Sequence, residues 1–384
     1  MIKNTIEIWN PLIDENTKDW VVCNSENKDK VSKYIAQLLQ SELFTTLAGC
    51  GCSYQTDKND KMVGGPGMSD LWALSNDTNR DEIIRITNYQ GEENIESLLS
   101  HCDAALSFIT DPDNNLKISE FASDMKNRIK IRCSEFLDEG SSFDLSHHVN
   151  FLRRVARRPQ KNRFMLFTTN YDLCFEKAAG QAQFVIIDGF SFTTPRQFSP
   201  AYFSYDLIRR NETAQDRNVS VEALFHLYKL HGSVNWDETD ERIVQNDNPK
   251  NPCLIYPANS KYQSSYRQPY LEMMSHYLQI LRQPSLTLLV IGSGFADDHL
   301  FGPIKAALRS NNEFRLVIVD PCIKDKIERG DGNYHELKQW KIMIDPRLTF
   351  INAPFDQFVG LIPEIYKPNA EERLVEIVRM ISNS

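Results

Sequence analysis

The feature that most constrains this chain is a series of short apolar runs, each about the length of a strand and none with a clearly polar face. Phe44–Ala48, Phe164–Thr169, Phe184–Ile187, Leu227–Leu230, Leu254–Tyr256, Leu286–Ile291, Leu316–Val319 and Leu348–Ile351 follow this pattern. A strand that must hide both faces belongs in a sheet covered by helices on both sides, which is the situation of parallel strands. Helical periodicity lies between several of the runs. Val31, Ile35, Leu38 and Leu39 share one face before the first, and Tyr270–Leu281 and Leu300–Leu308 flank the run Leu286–Ile291. The expected fold class is α/β, a doubly wound and mostly parallel sheet.

One long interval, from about Ser69 to Gln160, breaks the alternation. Ile95, Leu98, Leu99, Cys102, Leu106 and Ile109 recur at helical spacing there. So do Ile118, Phe121, Met125, Ile129 and Phe136, and then Leu145, Val149, Leu152 and Val155. Amphipathic helices with no strand between them predict a helical insertion, at about 75–160, within a domain spanning 41–330. Residues 1–40 are expected as an N-terminal extension and 331–384 as the remainder of the same domain. The amphipathic stretch Ala370–Ile381 would cover the sheet or meet a second subunit. The polar stretches Asn211–Ser220 and Glu238–Asn251 are expected to be loops.

A hydrophobic content of 41% is enough to offset the entropy of ordering, so the chain is expected to fold. The net charge of −9 argues against a surface devoted to nucleic acid. Arg153, Arg154, Arg157, Arg158, Lys161 and Arg163 form a local basic stretch, either an anion or partner contact or a solvated helix end. No apolar run approaches the roughly 18 residues of a membrane helix. Met1–Asp14 lacks the basic start and apolar core of a signal peptide, so a cytoplasmic protein without membrane contact is expected. The eight cysteines include no Cys-x-x-Cys pair, and Cys50 and Cys52 stand too close for a zinc knuckle. They are expected to be reduced, mostly buried thiols, with no metal site. The adjacent His147 and His148 are expected to be structural.

Four segments at the carboxyl ends of expected strands carry the chemistry, because ligands of an open α/β sheet bind at that edge. The first, Ala48-Gly49-Cys50-Gly51-Cys52-Ser53, places glycines where the backbone could approach a phosphate, or simply turn. Tyr54 stands where a dinucleotide fingerprint has its third glycine. The second, Thr168-Thr169-Asn170-Tyr171-Asp172, ends a buried strand in polar groups that need partners or a ligand; Asp172 also suits a helix cap. The third, Leu230-His231-Gly232-Ser233, brings an imidazole to the same edge, as a proton acceptor or as a structural histidine. The fourth, Gly292-Ser293-Gly294, is followed by Asp297 and Asp298. One strand further on, Asp320 could accept hydrogen bonds from a ribose diol.

Taken in this order, the segments resemble the sirtuin family, and within it the SIR2-like branch of bacterial anti-phage defence, similar to the SIR2 subunit of SIR2–HerA systems. Ala48–Ser53 is similar to the family's Gly-Ala-Gly-x-Ser turn. Thr168–Asp172 is similar to its Thr-Gln-Asn-Ile-Asp segment, with Thr169 in place of Gln. His231-Gly232 matches its His-Gly, and Gly292–Gly294 its distal Gly-Thr/Ser-Ser turn. The likeness spans Leu47 to Asp320. It implies a Rossmann-like, NAD-binding fold with an inserted helical module. Two features depart from the zinc-bearing deacetylases of the family. Their two Cys-x-x-Cys pairs are absent, and Gly64–Asp70 stands where their Gly-Ile-Pro-Asp-Phe-Arg loop would fall.

The resemblance therefore implies an NAD glycohydrolase, with NAD as substrate and no metal. The turn with Gly49, Cys50, Gly51 and Ser53 would hold the pyrophosphate and nicotinamide ribose, and Ala48 and Thr169 would also take part in binding NAD. Asn170 would hold the ribose and a water near C1′, Asp172 would meet the nicotinamide carboxamide, and His231 would take a proton. Gly292, Ser293 and Asp320 would hold the adenosine half. The branch also implies a homo-oligomer and a regulator on another chain, a HerA-type ATPase or another sensor. The alternatives are an NAD-dependent deacylase or ADP-ribosyl transferase, and a non-catalytic subunit that senses NAD or a related nucleotide.

Overall fold

The computed structural model describes residues 5–13, 19–56, 61–157, 162–209, 219–239, 242–254, 268–295 and 297–365. Its centre is one nine-stranded sheet. The strands are β1 (Glu7–Trp9), β2 (Val21–Val22), β3 (Leu43–Ala48), β4 (Phe164–Thr168), β5 (Val185–Ile187), β6 (Leu224–Lys229), β7 (Leu286–Ile291), β8 (Arg315–Val319) and β9 (Leu348–Asn352). Their spatial order is β2-β1-β9-β8-β7-β3-β4-β6-β5. From β9 to β5 all neighbours are parallel. The fold is therefore the expected Rossmann-like, doubly wound α/β sheet. The N-terminal stretch adds β1 and β2 as antiparallel edge strands, too short to leave a periodic signal.

Alternation along each strand divides the core into two layers. Leu286, Leu288 and Val290 of β7 face one hydrophobic cluster, and Leu289 and Ile291 face the other. Leu316 and Ile318 of β8 likewise oppose Val317 and Val319. Helix α1 (Lys28–Leu39) covers the second face. Then α2 (Met68–Ala73), α3 (Arg80–Thr87), α4 (Ile95–Ala105) and α5 (Pro112–Arg132) form the insertion. α6 (Ser146–Val155) and α7 (Cys174–Ala182) return to the face of α1, while α8 (Tyr270–Leu281) and α9 (Asp298–Ser310) cover the opposite one.

The insertion has its own core, built from Ile83, Ile95, Leu98, Leu99, Ile118, Phe121, Met125 and Ile129. Asn94 caps α4 by accepting the Ser97 amide at 3.0 Å, and Asp111 with Pro112 opens α5. The third expected helix, α6, packs on the sheet through Val149, Phe151, Leu152 and Val155 rather than into this core.

Two sequence expectations need correction. Leu254 does not join the parallel sheet. Pro252–Leu254 pairs with Gly232–Thr239 in a separate antiparallel sheet, and 255–256 lie outside the described residues. Nor is Glu238–Asn251 a loop throughout, because Arg242–Gln245 pairs with the end of Gly232–Thr239 as a hairpin. Glu238, Thr239 and Arg242 are exposed while Trp236 and Ile243 are buried, so composition alone suggested a loop. Val219–Ser220 pairs with Ile208–Arg209, at the end of the other expected loop. The stretch Ala370–Ile381 lies outside the described residues, as do Arg158 and Lys161. Of the basic stretch, Arg163 pairs with Asp206 and Arg154 donates to the Val359 carbonyl. None of the cysteines forms a disulfide, and five are buried. Among the described residues no helix is long and apolar enough to cross a membrane.

His148 is buried in a cage of Phe143, Phe175 and Phe355, with centroids 6.0, 5.1 and 4.9 Å from its ring. Neither ring nitrogen has a hydrogen-bond partner, and burial holds the imidazole down at about 4. His226 is held down to about 4 for the same reason. Between pH 6.5 and 4 the unfolded chain takes up protons that the fold refuses. Stability present above that window is therefore lost as pH falls through it. For His148 the loss reaches roughly 2 kcal/mol by about pH 5. His148→Phe keeps a ring in the cage and should remove this term. Urea denaturation at about pH 7.5 and about pH 5 is expected to show a drop in unfolding free energy roughly 2 kcal/mol smaller in the variant. Equal drops would mean that the imidazole is charged inside the fold.

Candidate active site

Strand register brings the motif residues together. Ala48 pairs with Thr168 on one side and Ile291 on the other, Thr168 pairs with Lys229, and Ile291 with Val319. The next residues along each strand therefore emerge at one level of one edge. The direction of winding reverses between β3 and β7, so the Gly49 and Gly292 turns sit side by side at the switch point.

The two turns interlock. Gly49 donates its amide to the Ile291 carbonyl at 2.8 Å, and Gly51 donates to that of Gly292 at 3.0 Å. A Cβ on Gly51 would stand 2.6 Å from Gly292 Cα, and one on Gly292 would stand 2.6 Å from Gly51 Cα. Gly292 also has a φ of +62°, in the left-handed region. The amides of Gly49 and Gly51 are thus occupied in holding the turns together, and glycine is required here for close approach. Cys50–Ser53 forms one 3₁₀ turn and then the short strand Tyr54–Thr56, so no α-helix opens at this point.

Thr168–Asp172 is tied down on every side. Asn170 donates from Nδ2 to the Gly49 carbonyl at 3.1 Å and to Ser53 Oγ at 3.0 Å. Its Oδ1 is buried with no hydrogen-bond partner. Asp172 Oδ2 accepts from Ser53 Oγ at 2.6 Å and Oδ1 accepts the Cys174 amide at 2.9 Å, which caps the start of α7. Beneath this loop lies Lys229, only 2% exposed. Its Nζ donates to the carbonyls of Tyr171 and Asp172 and to Glu176 Oε1 at 2.9 Å. Burial raises the Glu176 carboxyl, and the lysine opposes that rise.

His231 Nε2 lies 3.2 Å from Asp297 Oδ2, and Asp297 Oδ1 accepts the His299 amide at 2.9 Å. Burial pushes the Asp297 carboxyl up, but the hydrogen bond and charge of His231 and the His299 amide outweigh it. The carboxyl is held below the usual range. An ionised carboxylate can only accept, so Nε2 carries the proton in this hydrogen bond. Glu96, from α4, accepts from the Tyr171 hydroxyl at 2.7 Å, and its carboxyl is raised by burial.

These groups converge on one cavity of about 350 Å³. Gly49, Cys50, Ser53, Thr169, Asn170, Asp172, His231, Gly292 and Ser293 all line it. Ala48 and Gly51 stand behind it, in the last sheet pairing and against Gly292. Asp320 stands one strand away and outside the lining; it accepts the Cys322 amide at 2.7 Å and pairs with Lys326 at 2.8 Å. The wall opposite the sheet comes from Gly65, Pro66 and Met68 of the Gly64–Asp70 stretch and from Glu96. The charged lining comprises Glu96, Asp172, Asp297 and Asp298, with no lysine or arginine among the described residues. Nor, among the described residues, is any group of three or more His, Cys, Asp or Glu arranged to hold a metal ion.

Three of these groups gain a role only from the fold. Lys229 left one trace, a lone cation at the end of an apolar run. Asp297 stood in the acidic pair after the second turn, and Tyr171 was hidden inside the polar motif.

Residues 165–343 match the family model of the SIR2-like domain. That stretch holds Thr169, Asn170, Asp172, His231, Gly292, Ser293 and Asp320, and the Gly49–Ser53 turn precedes it. No curated protein matches the chain. Among solved structures it is similar to a Sir2 variant with a deacetylated p53 peptide and 3′-O-acetyl ADP-ribose. The identity is 13% over 86% of this chain and 95% of that one, with a TM-score of 0.35. It is also similar to a Sir2 bound to acetylated peptide, at 13% identity over 85% and 94% of the two chains and a TM-score of 0.35. At this level the likeness says nothing of activity.

The interlock predicts the effect of one methyl group. Gly292→Ala must both adopt a left-handed φ and push Gly51 away, and is expected to cost roughly 2–4 kcal/mol of stability. Gly294→Ala, whose Cβ would meet nothing within 4 Å, should be close to neutral. Chemical denaturation of both variants checks this, and equal stabilities would remove the interlock.

Proposed function

We propose that this protein is an NAD⁺ glycohydrolase that cleaves NAD to nicotinamide and ADP-ribose. One observation carries the proposal. Asn170, with an orphaned buried oxygen, and the His231–Asp297 pair meet in a single acidic cavity at the switch point of the sheet. The SIR2-like match over 165–343 supports NAD as the ligand.

The cavity fits that substrate in three ways. The glycine interlock brings the backbone of both turns to the cavity, with Gly49 and Gly292 in its lining. The carboxylates suit the cationic pyridinium and the positive charge that develops on the ribose. Asn170 Oδ1 needs a donor, which a ribose hydroxyl or a water supplies.

Cleavage sends the electron pair of the C1′–N bond to the nicotinamide nitrogen, which leaves as a neutral pyridine without a general acid. Water oxygen then bonds to C1′, and its proton passes to His231. Asp297 fixes the histidine tautomer for that transfer. Gly49 and Ser53 lock the Asn170 amide so that Oδ1 holds the water or ribose in place. Asp172, held by Ser53 and the Cys174 amide, would meet the carboxamide of nicotinamide. The adenosine half would pass Gly292 and Ser293.

The proposal extends to a cytoplasmic effector in bacterial anti-phage defence, supported by the motif resemblance alone. An unrestrained NADase would exhaust the NAD of its own cell. Control is therefore assigned to assembly into a homo-oligomer and to a partner chain, a HerA-type ATPase or another sensor.

The test is to incubate the purified chain with NAD, alone and with the proteins encoded beside it, and to identify the products. Equal amounts of nicotinamide and ADP-ribose are expected without any acyl-peptide. Asn170→Ala and His231→Ala should each lower the rate about 10²–10⁴-fold while both variants still fold, as circular dichroism would show. Full turnover by both variants, or turnover only with an acylated peptide, would overturn the assignment. The rate should also survive EDTA; loss on chelation with recovery in zinc would show a metal requirement.

A further inference from the structure

We infer that Glu96 is a catalytic carboxylate of this reaction, contributed by the helical insertion, whose free oxygen accepts a hydrogen bond from a ribose hydroxyl of NAD. The inference rests on the glycohydrolase proposal and specifies how the insertion takes part.

The acids of the cavity are not equivalent. Asp172 has both oxygens engaged, by Ser53 and the Cys174 amide. Asp297 has both engaged, by His231 and the His299 amide. Asp298 is exposed and accepts from Asn333 at 2.8 Å. Glu96 alone is a sheltered carboxyl held at one oxygen, Oε1, by the Tyr171 hydroxyl at 2.7 Å. No described residue donates to its Oε2, and Glu96 lines the cavity.

Its position is rigid for reasons that can be traced. Glu96 lies in the first turn of α4, which Asn94 caps. Ile95, Leu98, Leu99 and Cys102 of the same helix are fully buried in the core of the insertion. Tyr171 is packed into that core as well. Its carbonyl accepts from Lys229 Nζ at 3.2 Å and from the Val234 amide at 3.0 Å. The carboxyl is therefore pre-positioned in the cavity that Asn170 and His231 also line, and spends no reorganisation when charge appears. As the C1′–N bond breaks and its electron pair leaves with nicotinamide, ribose is left cationic. A hydroxyl polarised by Glu96 supports that cation.

The groups facing Glu96 are the Tyr171 hydroxyl, His231, Asp297, Cys50 and Cys133. Of these only His231 can be cationic. Burial raises the Glu96 carboxyl, and His231 and the Tyr171 hydrogen bond pull it back down. Catalysis should need Glu96 ionised, so the rate falls as pH drops through its titration. Removing the tyrosine hydroxyl should move that fall to higher pH.

The experiment measures nicotinamide release by the full chain, in whichever assembly turns over NAD, across pH. Glu96→Gln is expected to lower kcat about 10²-fold with KM within about threefold, unchanged thermal unfolding and an acid limb shallower by one proton. Tyr171→Phe should keep measurable turnover and shift the acid limb upward. Turnover of Glu96→Gln within about twofold of wild type, with the same acid limb, overturns the inference, as does an unmoved limb in Tyr171→Phe. Wild-type activity that survives His231→Ala would instead overturn the reaction centre itself. A wild-type chain that never releases nicotinamide overturns both.

Discussion

Everything at the sheet edge depends on how closely two backbone turns approach each other. Gly49 and Gly51 after β3 meet Gly292 after β7 at distances that exclude any side chain, and paired backbone hydrogen bonds keep them there. The contact falls where the winding of the sheet reverses, so helices on opposite faces diverge and leave a crevice above it. The amides of Gly49 and Gly51 are taken up by the Ile291 and Gly292 carbonyls, so they serve the packing of the turns. The polar chemistry falls to the side chains around them.

Those side chains are held by a buried polar network. Lys229 donates to the carbonyls of the Tyr171–Asp172 loop from below, Ser53 bridges Asn170 and Asp172, and the Cys174 amide completes Asp172. Each bond is made in a dry environment, where a fully satisfied network is rigid and an unpaired member is costly. Asn170 Oδ1 is the exception within this network, and the residue is one that lines the cavity. The insertion closes the other side through Tyr171, whose ring belongs to the insertion's core while its backbone belongs to the sheet edge. The inserted helices are therefore coupled to the site.

Much of this was legible in the chain itself. Runs such as Leu286–Ile291 and Leu316–Val319 declare themselves because a parallel strand is apolar on both faces. The ends of those runs marked Asn170, His231 and Gly292, and Asp172 was already suited to cap the next helix. Short or half-exposed strands were not legible. Glu7–Trp9 has too few residues for a period, and Arg242–Gln245 is polar on its solvent side. Asp320 looked equivalent to the other strand-end residues, but it follows β8, one strand beyond the two turns, where it pairs with Lys326 outside the cavity lining.

The sequence by itself determined the class of fold and the candidate residues, since hydrophobic periodicity and the placement of glycine are local properties read along one chain. Tertiary structure alone decided which candidates face one another. Residues as distant as Ser53 and Asp172, or His231 and Asp297, become partners through strand register and close packing, and those arise only when separate stretches bury their apolar surface together. The free oxygens of Asn170 and Glu96 belong to the same level of organisation, because an atom is left without a partner only once every neighbour has taken its place.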